Sequence, residues 1–294
     1  MASNPQEELK KLNKKHDFFI GIDSDGCAFD TMEIKHKECF CPNFIKYWDM
    51  QNVSKYARET WEFVNLYSKT RGLNRFLALI ETIKLLGQRH EVRARGTKMP
   101  DIQPLIEWTE KESKLGNPAL EKYAKETADK VIEKALNWSN AVNQTVGNMV
   151  YGIAPFPYLR ESLVKMQELA DVIVVSQTPL EALVREWEEN NIDGFVQLIA
   201  GQEHGKKSEH LDLATRDKYD KDHILMIGDA PGDLKAAETN GVLFYPINPG
   251  YEEDSWKRFH NEALDKFYEG TFKGEYQKTL INEFDTHLPE RPPW

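Results

Sequence analysis

"FFIGIDSDGCAFDTM" (residues 18–32) carries an unbroken apolar stretch into two aspartates one residue apart, Asp23 and Asp25, and then a glycine. An apolar run of this length that ends in a polar turn reads as a strand buried on both faces. Three further runs share the character: "VIVVS" (172–176), "ILMIG" (224–228) and "VLFYPI" (242–247), with "FVQLIA" (195–200) as a weaker fifth. Segments of helical period separate the later runs, among them "YLRESLVKMQELA", "PLEALVREWEENN" and "GDLKAAETN". Strands alternating with helices predict the α/β class, here a Rossmann-like parallel sheet covered on both faces.

About 150 residues lie between the first run and the second, far more than a βα connection takes. That stretch is rich in helix-period patterns, such as "TWEFVNLYSK" and "RFLALIETIKLLGQ", and offers no convincing strand. The expected organisation is a sheet domain made of residues 1–32 and 150–294, interrupted by an all-helical domain at 33–149. The tryptophans at 48, 61, 108 and 138 fall within its helical patterns and are expected in its core. After the last strand come two amphipathic patterns and an extended tail, "HLPERPPW", whose prolines preclude further helix.

With 29% charged and 40% apolar residues, the 294-residue chain has the composition of a folded, soluble protein. A net charge of -10 argues against nucleic acid or an anionic membrane surface as partner, because phosphate-rich surfaces reward Lys and Arg. The first residues lack an apolar signal core, and no stretch reaches the length of a membrane span, so a cytoplasmic protein is expected. Three cysteines, Cys27, Cys39 and Cys41, argue against a disulfide framework by their number alone. "HKECFC" lacks the fourth ligand of a structural zinc site. Nothing in the sequence sets the oligomeric state.

Ligands of open α/β sheets sit beyond the carboxyl ends of the strands. There the sequence concentrates its unusual polar residues: Asp23 and Asp25 after the first strand, Ser176 and Thr178 after the second, Asp229 and Asp233 in "GDAPGD" after the fourth. Four carboxylates in one crevice repel one another, which either raises a pKa or recruits a cation. Mg²⁺ suits oxygen ligands and is commonly shared between carboxylates and phosphate oxygens. A carboxylate can also attack phosphorus, and a second group must then protonate the leaving oxygen and later activate water. Two aspartates one residue apart supply both roles, and Gly26 lets the chain turn sharply after them. A transferring phosphoryl needs donors and positive charge as well, which Ser176 and either Lys206 or Lys207, in "GQEHGKKSEHL", can provide. An EF-hand reading of "DSDG" fails, because Cys27 stands where oxygen ligands are still required. Each short motif alone is commonplace; their succession at consecutive strand ends is not.

In order and spacing, "DSDG", "VVSQTP", "GKKSEHL" and "MIGDAPGD" resemble the four motifs of the haloacid dehalogenase superfamily. The resemblance covers the sheet domain; the insertion matches only in position and helicity. It implies Asp23 as nucleophile and Mg²⁺ ligand, and Asp25 as general acid/base and backbone-carbonyl ligand. It further implies Ser176 as phosphate hydroxyl, Lys207 or Lys206 as phosphate lysine, and Asp229 with Asp233 as metal-site carboxylates. The acid at Asp25 resembles phosphatases and phosphomutases, since true dehalogenases lack it. The insertion resembles the mobile helical cap of phosphoglycolate phosphatase-like and β-phosphoglucomutase-like members, which closes over a small substrate. Gln177 beside Ser176, and Arg71 and Arg75 in the break "SKTRGLNRF" (68–76), are expected substrate contacts. The expected function is Mg²⁺-dependent hydrolysis of a small phosphorylated metabolite through an aspartyl phosphate. A phosphomutase of the same fold and a non-catalytic phosphate-binding protein are the alternatives.

Overall fold

The computed structural model describes residues 4–294. Five strands form one sheet: β1 (Phe18–Ile22), β2 (Ala170–Val175), β3 (Leu198–Ala200), β4 (Ile224–Gly228) and β5 (Leu243–Pro246). Their order is β3-β2-β1-β4-β5 and every pairing is parallel, with Ile20 opposite Val172 on one side and Leu225 on the other. The α/β fold expected from the sequence is therefore the one observed. β3 is shorter than the run 195–200, because Phe195 closes a 3₁₀ turn (Asp193–Phe195) before the strand begins.

Each apolar run is two interleaved faces. Ile20, Ile22, Val174 and Ile227 pack with Leu163, Met166, Trp256 and Phe259. Phe19, Ile173, Val175 and Met226 pack with Leu9, Leu211, Ala237 and Phe284 on the other side. Helices on both faces leave no solvated position, and this is why the strands read as continuous rather than alternating. Gly21 is the exception to bulk: a Cβ there would stand 3.0 Å from Val175 Cγ2 and 3.1 Å from Leu211 Cδ2. The chain runs from β1 through β2 to β3 on one side and then crosses to β4 on the other, so the strand order reverses between β1 and β4. A crevice opens at the carboxyl ends at such a reversal.

The chain divides into two compact units, one of Met1–Met32 and Gly152–Leu288, the other of Glu33–Tyr151 and Pro289–Trp294. Among its described residues the second unit is helical, with helices that include Ser54–Asn65, Arg75–Gln88 and Lys130–Met149. Trp48, Trp61, Trp108 and Trp138 are all buried in it. Trp61 meets Trp138 edge-on at 6.0 Å and Phe44 in a stack at 5.2 Å. The tail, assigned to the sheet domain from sequence, groups instead with the helical unit. The Lys69 N–H donates to the Pro289 carbonyl at 3.4 Å, and the Trp294 ring lies 4.2 Å from the Arg89 guanidinium and 5.5 Å, edge-on, from Phe63. No described helix is long and apolar enough to cross a membrane.

Candidate active site

The ladder between β1 and β4 continues one residue past the strand, where the Asp23 N–H donates to the Ile227 carbonyl at 3.0 Å. This pins Asp23 at the carboxyl edge with only 4% of its surface exposed. Its Oδ1 accepts the Ser24 N–H at 2.8 Å. The loop then folds on itself: Gly26, at φ 77°, donates its N–H to the Phe29 carbonyl at 2.9 Å, a backbone conformation that glycine adopts without strain. Asp25 is held by two hydroxyls, Thr31 Oγ1 donating to Oδ1 at 2.6 Å and Thr178 Oγ1 donating to Oδ2 at 2.8 Å.

Ser176 follows β2, buried, with its N–H on the Ala200 carbonyl at 2.9 Å and its Oγ accepting the Thr178 N–H at 3.1 Å. Gln177 turns its amide to the Gly205 carbonyl at 2.8 Å, so its donor ties two loops of the protein together. Lys207 opens the helix Lys207–Thr215 and sends its ammonium to Asp23 Oδ2 and Asp233 Oδ1, both at 2.6 Å. Lys206 does not join this cluster. It is the exposed N-cap residue, and its N–H donates to Glu209 Oε2 at 2.7 Å. Of the two lysines the sequence left open, with a lean to Lys207, only Lys207 reaches the carboxylates, because adjacent residues at a helix start diverge by about 100° around the axis.

After β4, Asp229 and Asp233 are both buried. Asp233 Oδ2 accepts the N–H groups of Asp229 and Ala230 at 3.2 and 3.1 Å, capping the helix Pro231–Asn240. Gly228 permits this approach, since a Cβ there would fall 2.4 Å from Asp233 Cβ and Cγ. Carboxylate oxygens of Asp23, Asp229 and Asp233 all lie within 4.8 Å of one another. Burial pushes the Asp23 carboxyl well above its ordinary range; Lys207 opposes the rise, while Asp233 and Asp229 add to it. Burial alone would depress the Lys207 ammonium, but Asp23 and Asp233 outweigh it and raise its pKa.

Arg71 and Arg75 belong to the helical unit. Arg71 is buried and donates to the Leu66 carbonyl at 2.9 Å. Arg75 donates to Ser139 Oγ at 3.0 Å and Asn143 Oδ1 at 2.6 Å, its guanidinium 5.0 Å from the Phe40 ring, and desolvation lowers its pKa to about 10.

No family model matches the sequence, and no curated protein matches it. Among solved structures, the chain is similar to a candidate phosphoglycolate phosphatase from Lactobacillus delbrueckii subsp. bulgaricus, at 14% identity over 88% of this chain and 100% of that one, with a TM-score of 0.48. A haloacid dehalogenase-like family hydrolase from Xanthomonas campestris is similar at 9% identity over 90% and 97% of the two chains, with a TM-score of 0.47. A candidate β-phosphoglucomutase from Thermotoga maritima is similar at 11% identity over 78% and 84%, with a TM-score of 0.41.

Three buried carboxylates facing one ammonium leave two negative charges uncompensated when all are ionised. A divalent cation among oxygen donors fits both the charge and the chemistry of that set. One residue that touches the site, Thr31, went unread in the sequence, and Thr178 was read only as a hydroxyl at a strand end, without its partner. Thr31 lies outside every motif, and Thr178 looks like an ordinary turn residue before Pro179 until the fold turns its hydroxyl to Asp25.

Proposed function

We propose that the chain is a Mg²⁺-dependent phosphohydrolase of the haloacid dehalogenase type, which cleaves a phosphate monoester of a small metabolite through an aspartyl phosphate on Asp23. The observation that carries this reading is the Lys207 ammonium set between Asp23 and Asp233, with Asp25 two residues beyond. The ammonium at 2.6 Å opposes the rise that burial imposes on the Asp23 carboxyl and so favours its nucleophilic, ionised form, and it then faces the phosphoryl group as it arrives.

In the first step an Asp23 carboxylate oxygen attacks phosphorus, the bond to the substrate oxygen breaks, and Asp25 gives that oxygen its proton. In the second, Asp25 takes a proton from water, the water oxygen attacks phosphorus, and the acyl-phosphate bond breaks to release inorganic phosphate and restore Asp23. Thr31 and Thr178 orient Asp25 for both transfers. Ser176 donates its hydroxyl to a phosphoryl oxygen, and Lys207 neutralises charge there. Asp23, Asp229, Asp233 and the Asp25 backbone carbonyl would hold Mg²⁺, which when bound neutralises the cluster and the phosphoryl charge. The net charge of -10 supports a small metabolite in the cytoplasm over nucleic acid.

Phosphate release from sugar phosphates, nucleotides, phosphoglycolate and p-nitrophenyl phosphate, with Mg²⁺ and with EDTA, tests the reading. Release that needs Mg²⁺ is expected. Isomerised sugar phosphate without release would replace it with a phosphomutase.

A further inference from the structure

Ser24 stands between the two aspartates and is fully buried. Its backbone already serves the site. The N–H donates to Asp23 Oδ1 at 2.8 Å, and the carbonyl accepts the N–H groups of Cys27, Ala28 and Phe29 at 3.2, 2.8 and 3.1 Å. Its hydroxyl is engaged on both sides, accepting from Trp187 Nε1 at 3.0 Å and donating to Glu186 Oε2 at 3.1 Å. Trp187 is itself fully buried and meets the Phe29 ring edge-on at 5.8 Å, so the indole touches the loop at two points.

An apolar side chain could fill this place without desolvation cost, whereas a buried hydroxyl and indole N–H are costly unless bonded to each other or to a third group. The arrangement gains direction in return: a hydrogen-bonded hub fixes its loop at one angle, where apolar packing would tolerate several. The helix Leu180–Glu189, which carries Glu186 and Trp187, begins just after the turn that hands Thr178 to Asp25. One helix with its leading turn thus grips the aspartate loop at Ser24 and at Asp25.

We infer that Trp187 and Glu186 are positioning residues, which hold Ser24 so that its N–H sets the plane of the Asp23 carboxylate and keeps Asp23 and Asp25 at the spacing that two-step phosphoryl transfer needs. This rests on the phosphohydrolase reading above. Displacing an attacking atom by about 1 Å costs on the order of a hundredfold in rate, so a loop that rocks on its hub loses turnover before it loses its fold.

The test compares wild type, Ser24→Ala, Trp187→Phe and the double variant, with Glu186→Gln as the conservative replacement that keeps an acceptor. Three quantities are read: kcat and KM for p-nitrophenyl phosphate with Mg²⁺, the affinity for trifluoroberyllate with Mg²⁺ by calorimetry, and the melting temperature. Each single variant is expected to lose about tenfold in kcat and in trifluoroberyllate affinity with KM within about twofold, the double variant to resemble the singles, and Glu186→Gln to stay near wild type. Wild-type kcat and affinity in the folded variants, with only the melting temperature lowered, would reduce the trio to packing and overturn the inference. Should wild type release no phosphate, the phosphohydrolase reading fails by itself, and the trifluoroberyllate affinities still decide whether the trio positions Asp23.

Discussion

Lys207 Nζ lies 2.6 Å from Asp23 Oδ2, while its neighbour Lys206 points out from the same helix start as an exposed N-cap residue. Lys207→Ala is therefore expected to lower kcat by about 10²–10³, the loss typical of removing one preorganised group that stabilises developing charge. Lys206→Ala is expected to stay within about twofold of wild type, since no transition-state contact is removed. Steady-state kinetics on both variants, normalised to folded protein by circular dichroism, checks the contrast.

Asp23→Asn removes the proposed nucleophile and one of three clustered carboxylates. Turnover should vanish, and the melting temperature in EDTA should hold or rise, because a buried carboxylate whose pKa burial has pushed up is costly in its ionised form. Wild-type turnover in the Asp23→Asn variant would end the aspartyl-phosphate mechanism.

Gly228→Ala places a Cβ where Asp233 Cβ and Cγ already stand, 2.4 Å away, and backbone on one side with a helix start on the other gives neither group room. Asp233 must move, taking with it its bond to Lys207 and its cap on the helix Pro231–Asn240. A destabilisation of about 2 kcal/mol or more is expected, with weaker Mg²⁺ binding by calorimetry.

His210 is fully buried, and burial, helped by the neighbouring His204, lowers its pKa to about 4. In the unfolded chain a histidine titrates near 6.5. Between those values the unfolded state binds the extra proton, so stability is intact above about pH 6.5 and is lost as pH falls towards 4, by on the order of 3 kcal/mol in all. Urea melts at pH 7 and pH 4.5 should reveal this loss, and His210→Gln should flatten it.

Trp294 lays its ring on the Arg89 guanidinium, which is itself paired with Glu59 at 2.7 Å. Trp294→Ala is expected to cost about 1 kcal/mol, the usual worth of a partly desolvated cation–π contact, and to leave kcat unchanged. Chemical denaturation followed by the fluorescence of the remaining tryptophans reads the first, and phosphate release reads the second.

The sheet was legible in the sequence because β1, β2, β4 and β5 are buried on both sides, which erases the polar positions that make other strands ambiguous. β3 was blurred because only Leu198–Ala200 of its apolar run pairs as strand. The aspartates stood out by chemistry alone, since carboxylates crowd together at strand ends only for a reason. In the sequence there was only a lean towards Lys207 over Lys206, because the choice depends on which residue begins the helix, and helix starts are blurred in a sequence by a residue or two. Thr31, and the pairing of Thr178 with Asp25, were hidden for a different reason: a hydroxyl is useful only through what it faces, and Asp25 lies far from Thr178 along the chain. The tail misled because proline marks where helix stops and says nothing about which surface receives the chain.

The docked tail also sets an order of assembly. Residues 289–294, which complete the surface around Arg89 and Phe63, are translated after every strand of the sheet. The helical unit is thus nearly all made before β2 exists, yet it reaches its final packing only after residues 289–294 have followed the whole sheet. Its early helices must hold together through local contacts for that interval, and the many buried tryptophans along their facing sides supply them.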